Sequence, residues 1–159
     1  MDSPGREIEV RVYGLPAPQG SKRHIGRGIL VESSKRVRPW RTSVVHACID
    51  LMEEQQLRGV LPIQGPVDVE VEFLFPRPQS HYGTGRNAEK LKPSAPHYTT
   101  STRDGDLDKV LRSTIDGLAA RTGGVMLRDD RLVVSVTATK RYTNAGESPG
   151  AMIIIRDPD

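Results

Sequence analysis

The sequence predicts an α+β fold, a two-layer sandwich in which a mixed β-sheet carries two helices packed on one face. Three observations lead there. Residues 7–13 and 67–75 alternate apolar and charged side chains with the two-residue period of a half-buried strand. Two other segments, opening at Pro39 and near Asp108, repeat apolar residues at helical spacing. The elements run strand, strand, helix, strand, helix, strand, strand.

In the first strand Ile8, Val10 and Val12 share one face, with Glu7, Glu9 and Arg11 on the other. Residues 14–23, GLPAPQGSKR, hold prolines and glycines that exclude regular structure. Gln19, Ser21 and Lys22 there either present donors to a phosphate or belong to a rigid turn into a second strand at 28–32. Pro39 suits a first helical turn, and Trp40, Val44, Val45, Cys48, Leu51 and Met52 form an apolar stripe through a helix ending near Gly59. Trp40 and Cys48 read as core residues and His46 as a surface one. In the strand at 67–75, Val67, Val69, Val71 and Phe73 face the core. Asp68, Glu70 and Glu72 face the other way, where three like charges are usually solvated. A strand beside a helix start could instead lend Glu70 or Glu72 to a site there. Residues 76–103 form a long basic loop, expected to be flexible, whose His81, Tyr82, His97 and Tyr98 suit contact with phosphates and unpaired bases. Strands at 132–142 and 151–156, separated by a Gly/Pro turn, close the chain.

A chain of 159 residues without internal repeats is one domain, 1–159, with a modest core. One cysteine, Cys48, excludes an internal disulfide and fits a reducing, cytoplasmic compartment. No apolar leader or membrane-length run is present, so neither export nor membrane insertion is expected. An apolar fraction of 36% and a mean hydropathy of -0.46 are low for a self-sufficient monomer, which points to a partner subunit. The net charge of +3 conceals segregation. Residues 22–41 hold seven cations against Glu32, and residues 76–103 hold five against Glu89. Basic segments beside a carboxylate cluster are what a metal-dependent enzyme acting on a polyanion needs.

That cluster lies in residues 104–133, DGDLDKVLRSTIDGLAARTGGVMLRDDRLV. Leu107, Val110, Leu111, Thr114, Ile115, Leu118 and Ala119 trace one helical face, and Asp108, Arg112 and Asp116 form a polar stripe beside it. Gly123 and Gly124 supply a helix stop, and Asp129 and Asp130 precede a β-branched run. Asp108 could be only a helix cap, with Asp106 favoured by the positive helix end, and the 129–130 pair only turn residues. One helix needs only one cap, however, and carboxylates gathered together repel unless a cation sits among them; a hard divalent ion suits all-oxygen ligands best.

The Asp106-Leu107-Asp108 run, Asp116 followed by Gly117-Leu118, the Asp129-Asp130 pair before a strand and the opening GLPAPQGSKR together resemble the RusA family of Holliday-junction resolvases, common in phages and prophages. The resemblance spans roughly residues 8–155. It implies an Mg²⁺-dependent endodeoxyribonuclease, with Mn²⁺ as an alternative ion, that resolves four-way DNA junctions by paired nicks in recombination and repair. It further implies a homodimer, metal ligation by Asp106, Asp108 and Asp130 with Asp129 and Asp116 in support, and a catalytic role for Arg112. Lys22, Arg23, Lys90, Lys92, Arg103 and Lys109 are the candidate DNA-binding residues. The chain departs from the family pattern in three places. Lys109 replaces the frequent Asn after the second Asp, and Arg112 replaces the lysine one turn on. Arg112 keeps the charge but cannot release a proton near neutral pH, and Lys109 projects about 100° away around the helix. The glutamine usual near the aspartate pair is also replaced, by Arg131-Leu132.

Competing readings are weaker on particulars. An EF-hand begun at Asp104 would place Lys109 and Ile115 where it needs Gly and Glu. A DxD nucleotidyl or sugar transferase should carry a phosphate-binding βα unit, and none is visible. A non-catalytic branched-DNA-binding protein explains the basic segments but not the gathered acids.

Overall fold

A computed structural model describes residues 5–20, 22–24, 30–32 and 35–159. The elements are β1 (Glu7–Tyr13), β2 (Lys22–His24), β3 (Leu30–Glu32), α1 (Val37–Glu54), β4 (Val67–Phe75), α2 (Leu107–Leu118), β5 (Val133–Tyr142) and β6 (Gly150–Arg156). Four of the strands make one mixed sheet in the order β1-β6-β4-β5, in which only β4 and β5 run parallel. The crossover between that parallel pair contains α2, as a parallel connection requires. β2 and β3 form a separate two-stranded sheet. The architecture is the α+β arrangement the sequence predicts.

Alternation decides which sheet face is covered. Ile8, Val10, Val12, Val67, Val69, Val71, Phe73, Ile153 and Ile155 are buried on the helix side. Trp40, Val44 and Cys48 of α1 and Val110 and Leu118 of α2 complete this core. Burial pushes the Cys48 thiol up to about 12, so it is an inert core group. The two helices meet closely at Gly117, where a Cβ would lie 2.9 Å from the Cβ of Val44. Nearby, the buried Trp40 indole N–H donates to Thr114 Oγ1 at 3.0 Å. Among the described residues, no helix covers the opposite sheet face. Glu7, Asp68 and Glu70 gather around Arg156 there, and Glu72 pairs with Arg141. Glu70 and Glu72 therefore do not reach the start of α2.

Boundaries differ from the sequence expectation in three places. Residues 14–23 hold more structure than their prolines suggest, because Lys22 and Arg23 pair with Glu32 and Val31 in the β2–β3 ladder. α1 stops at Glu54, before Gly59, where Gln56 turns left-handed at φ 55°. α2 ends at Leu118, before the glycines. Ala119 is extended and the Ala120 N–H bonds to Leu127 O at 2.7 Å, drawing the chain out of the helix. Gly123, at φ 104°, ends the short turn that follows.

Residues 76–103 contain two short turns, Gln79–His81 and Gly85–Asn87, and are stapled to the sheet. Arg77 donates to the carbonyls of Thr143 and Pro96 at 2.8 and 2.7 Å, and the Tyr142 N–H donates to His97 O at 2.9 Å. Such long-range ties leave no periodic trace in a sequence. Among the described residues, no helix is long and apolar enough to cross a membrane.

Candidate functional site

The approach to α2 is built from a buried acid. Asp104 is 1% exposed, accepts from Thr99 Oγ1 at 2.6 Å and pairs with Arg103 Nε at 3.0 Å. Gly105 follows at φ 84°, where a Cβ would meet Pro18 Cγ at 2.5 Å, so only glycine lets the chain pass the 14–20 loop. Asp106 then stands at the N-cap position, but its side chain makes no capping bond. Asp108 lies in the first turn, where the helix dipole favours a carboxylate. Capping thus accounts for neither acid.

The carboxylates divide between two hollows. Asp108, Asp116 and Asp130 line one of about 340 Å³ together with Arg112 and the apolar Leu111, Ile115, Val133 and Val136. Asp106 lies at a second hollow of about 450 Å³ with Lys109, Lys140, Thr100, Ser101 and Thr102. There Asp106 is 3.6 Å from Lys109 Nζ, with its side chain 72% exposed. A larger hollow of about 590 Å³ lies between β1 and α1, but its acids, Glu9, Asp50 and Glu54, share it with Arg11 and His46. Chemistry, not size, singles out the start of α2.

In the first hollow, burial raises the Asp116 pKa above the ordinary aspartate value. Arg41 and Arg112 oppose that shift and the charge of Asp130 adds to it. Arg41, on α1, had been legible only as one cation of a basic segment. The Asp129 carboxylate accepts from the Arg131 N–H at 3.0 Å; that bond, a side-chain hydrogen bond with Asp130 and the nearby Arg121 and Arg131 hold its pKa low. Asp130, beside it, is exposed toward the hollow.

Among the described residues, no three His, Cys, Asp or Glu side chains converge on a ready-made metal cage. The donors still fit a hard cation. Mg²⁺ is commonly held by one or two carboxylates plus substrate phosphate and water rather than by an all-protein cage. Asp108 and Asp130, all-oxygen donors opening on one hollow, meet that requirement.

Of the basic candidates, Lys109 lines the lysine hollow and Lys90 and Lys92 are exposed on the 76–103 excursion. Arg103 is half-exposed but tied to Asp104 and to Pro76 O. The side chains of Lys22 and Arg23 lie outside the described residues. Lys140 was missed by sequence reasoning. The signal was there: it occupies an inward position of β5, in line with Val136, Ala138 and Tyr142, where a cation needs a reason.

The family model described as Endodeoxyribonuclease RusA matches residues 14–156, covering the loop after β1, both helices and every strand but the first. No curated protein matches the chain.

Proposed function

Because the chain belongs to the RusA endodeoxyribonuclease family, we propose that it is an Mg²⁺-dependent, structure-selective endonuclease that resolves Holliday junctions by paired nicks. The observation that carries this reading is the hollow that Asp108, Asp116, Asp130 and Arg112 share with the apolar Leu111, Ile115, Val133 and Val136. Three acids and one guanidinium repel a bare phosphate but suit one that arrives with a divalent cation.

Asp108 and Asp130 would hold Mg²⁺ together with a phosphate oxygen, and Asp106 would present its exposed carboxylate from the adjoining hollow. When bound, the ion supplies Lewis-acid charge to an attacking water and to the scissile phosphate. Arg112, one helical turn after Asp108, donates to charge developing on that phosphate. Asp116 lies within the field of Arg41 and Arg112, whose charges partly offset the rise that burial gives its pKa. Lys109 and the exposed Lys90 and Lys92 bind the backbone of the junction arms, with Lys22 and Arg23 as further candidates.

The enzyme acts as a homodimer. A two-fold junction is matched by a two-fold protein. β5 is an edge strand whose Val134 and Val136, 60% and 39% exposed, leave apolar surface for a second copy. Sedimentation at micromolar concentration should give a dimer; a monomer that still makes paired nicks would remove the symmetric mechanism.

The deciding experiment incubates the protein with labelled four-way, Y-shaped and linear duplex DNA, with Mg²⁺ and with EDTA. Metal-dependent nicking of the four-way substrate is expected, and Asp106→Asn, Asp108→Asn or Asp130→Asn should abolish it while junction binding persists. Binding without nicking of any branched substrate would sink the enzyme reading in favour of a DNA-binding module.

A further inference from the structure

Beyond Asp106 and Lys109, the residues of the lysine hollow have no part in the chemistry above, yet the hollow is firmly built. Its walls come from the loop after β1, the approach to α2 and strand β5. Each wall is tied to the next. Gln19 N–H donates to Lys109 O at 3.0 Å, Ser113 Oγ donates to Ala17 O at 2.7 Å, and Lys140 Nζ donates to Gly105 O at 2.7 Å. An ammonium has three donors, so the bond to Gly105 leaves Lys140 two for a ligand. Lys109 meets Asp106 at 3.6 Å, longer than a charge-assisted hydrogen bond. Two ammonium groups against one exposed carboxylate leave the hollow cationic. Thr100, Ser101 and Thr102 bring further donors to it.

The neighbouring hollow has the opposite sign, with three carboxylates against Arg112. A nucleic-acid strand drawn toward that anionic hollow needs a grip elsewhere, and its phosphates follow one another at about 3.4 Å of helix axis per strand. We propose that Lys140, together with Lys109 and the 100–102 hydroxyl groups, is a phosphate-binding subsite that grips the phosphodiester next to the scissile one. Lys140 thereby positions the strand over Asp108 and Asp130. This inference rests on the endonuclease reading and assigns that site a specific contact to the substrate backbone.

The test begins with binding. The affinity for a four-way junction is measured in EDTA between about 50 and 200 mM salt, for the wild type, Lys140→Gln and Lys140→Arg. Glutamine keeps an amide N–H for Gly105 O but removes the charge. Lys140→Gln should flatten the salt dependence by about 0.9 in slope and weaken binding roughly eightfold at about 0.1 M salt. Lys140→Arg should restore both, and thermal midpoints should stay together. A second arm uses junctions with one neutral methylphosphonate on either side of the nick. One of the two should slow cleavage by the wild type while slowing Lys140→Gln no further, because both changes delete the same contact.

An unchanged slope for Lys140→Gln overturns the proposal. So does a loss that Lys140→Arg fails to rescue and that tracks a lowered midpoint, which would make Lys140 a strut between β5 and Gly105. If the slope changes as expected but the wild type nicks no DNA, the phosphate subsite stands and the endonuclease reading falls. If the wild type binds no DNA, both fall.

Discussion

Replacing Arg112 separates chemistry from stability. The side chain is exposed on α2 and shares a hollow with Asp108, Asp116 and Asp130. Asp108 and Asp116 stand four residues to either side, the spacing at which a helix forms ion pairs. Among the described residues, however, neither is within ion-pair distance of Arg112. Truncating an exposed residue without such ties changes stability by within about 0.5 kcal/mol. In a chain of this size that moves the thermal midpoint by no more than about 2 °C. A guanidinium that donates to charge developing on a phosphate is worth far more. Losing one such donor costs roughly 10²- to 10³-fold in rate, about 3–4 kcal/mol. Arg112→Ala should therefore keep its midpoint and slow single-turnover cleavage of a labelled junction by about 10²-fold or more. Arg112→Lys should recover much of the rate, because it returns a cation to the same helical turn, though without the planar paired donors of a guanidinium. The assay is single-turnover cleavage at saturating enzyme beside a thermal melt of each variant. An Arg112→Ala protein that melts more than about 5 °C early yet cuts normally at low temperature would refute the argument and leave Arg112 a helix-stabilising residue.

Two further outcomes concern the frame around the site. In Gly117→Ala the new Cβ would lie 2.9 Å from Val44 Cβ and 3.2 Å from Arg41 O. Overpacking of about 1–3 kcal/mol should outweigh the gain in helix propensity of at most about 1 kcal/mol. The midpoint should fall, and adding Val44→Ala should cost less than the two single changes combined; a stabilised Gly117→Ala would show that α1 and α2 do not meet there. Near the β5–β6 turn, the Arg141 guanidinium and the Asn144 N–H hold the Glu147 carboxyl at about 2. A lowered acid pKa stabilises the fold above the ordinary Glu value near 4.3, and that contribution is lost as pH falls through about 2. Glu147→Gln should thus lower the midpoint at neutral pH and make progressively less difference as acid is added, whereas an equal loss at every pH would assign the contribution to packing.

The legible part of this molecule is its periodic part. β1 and β4 fall where alternation of Ile8, Val10, Val12 and of Val67 to Phe73 puts them. α2 begins within a residue of its expected start, because Val110 and Leu118 mark its buried face. The acidic residues around α2 could be named from the sequence, but their partition could not. Asp106 and Asp108 are two apart in the chain and face different hollows, because the backbone changes from extended to helical between them. Lys140 was hidden for a related reason: its partner, Gly105 O, lies 35 residues away, in the loop before α2. Arg41 joined the site only through the close packing of α1 on α2, which a glycine permits and no pattern announces.

The helix-free face of the sheet bears on how fast a productive encounter can occur. Glu7, Asp68, Glu70 and Glu72 project from it, and Arg156 and Arg141 offset them only in part. A polyanion diffusing toward that side meets repulsion, while the helix side offers lysines within a Debye length of about 8–10 Å. Collisions of DNA in the wrong orientation would thus be disfavoured before contact, and the helix side would meet the ligand more often. The carboxylates on the bare face would then raise the association rate without touching the ligand, and their benefit would fade as salt rises.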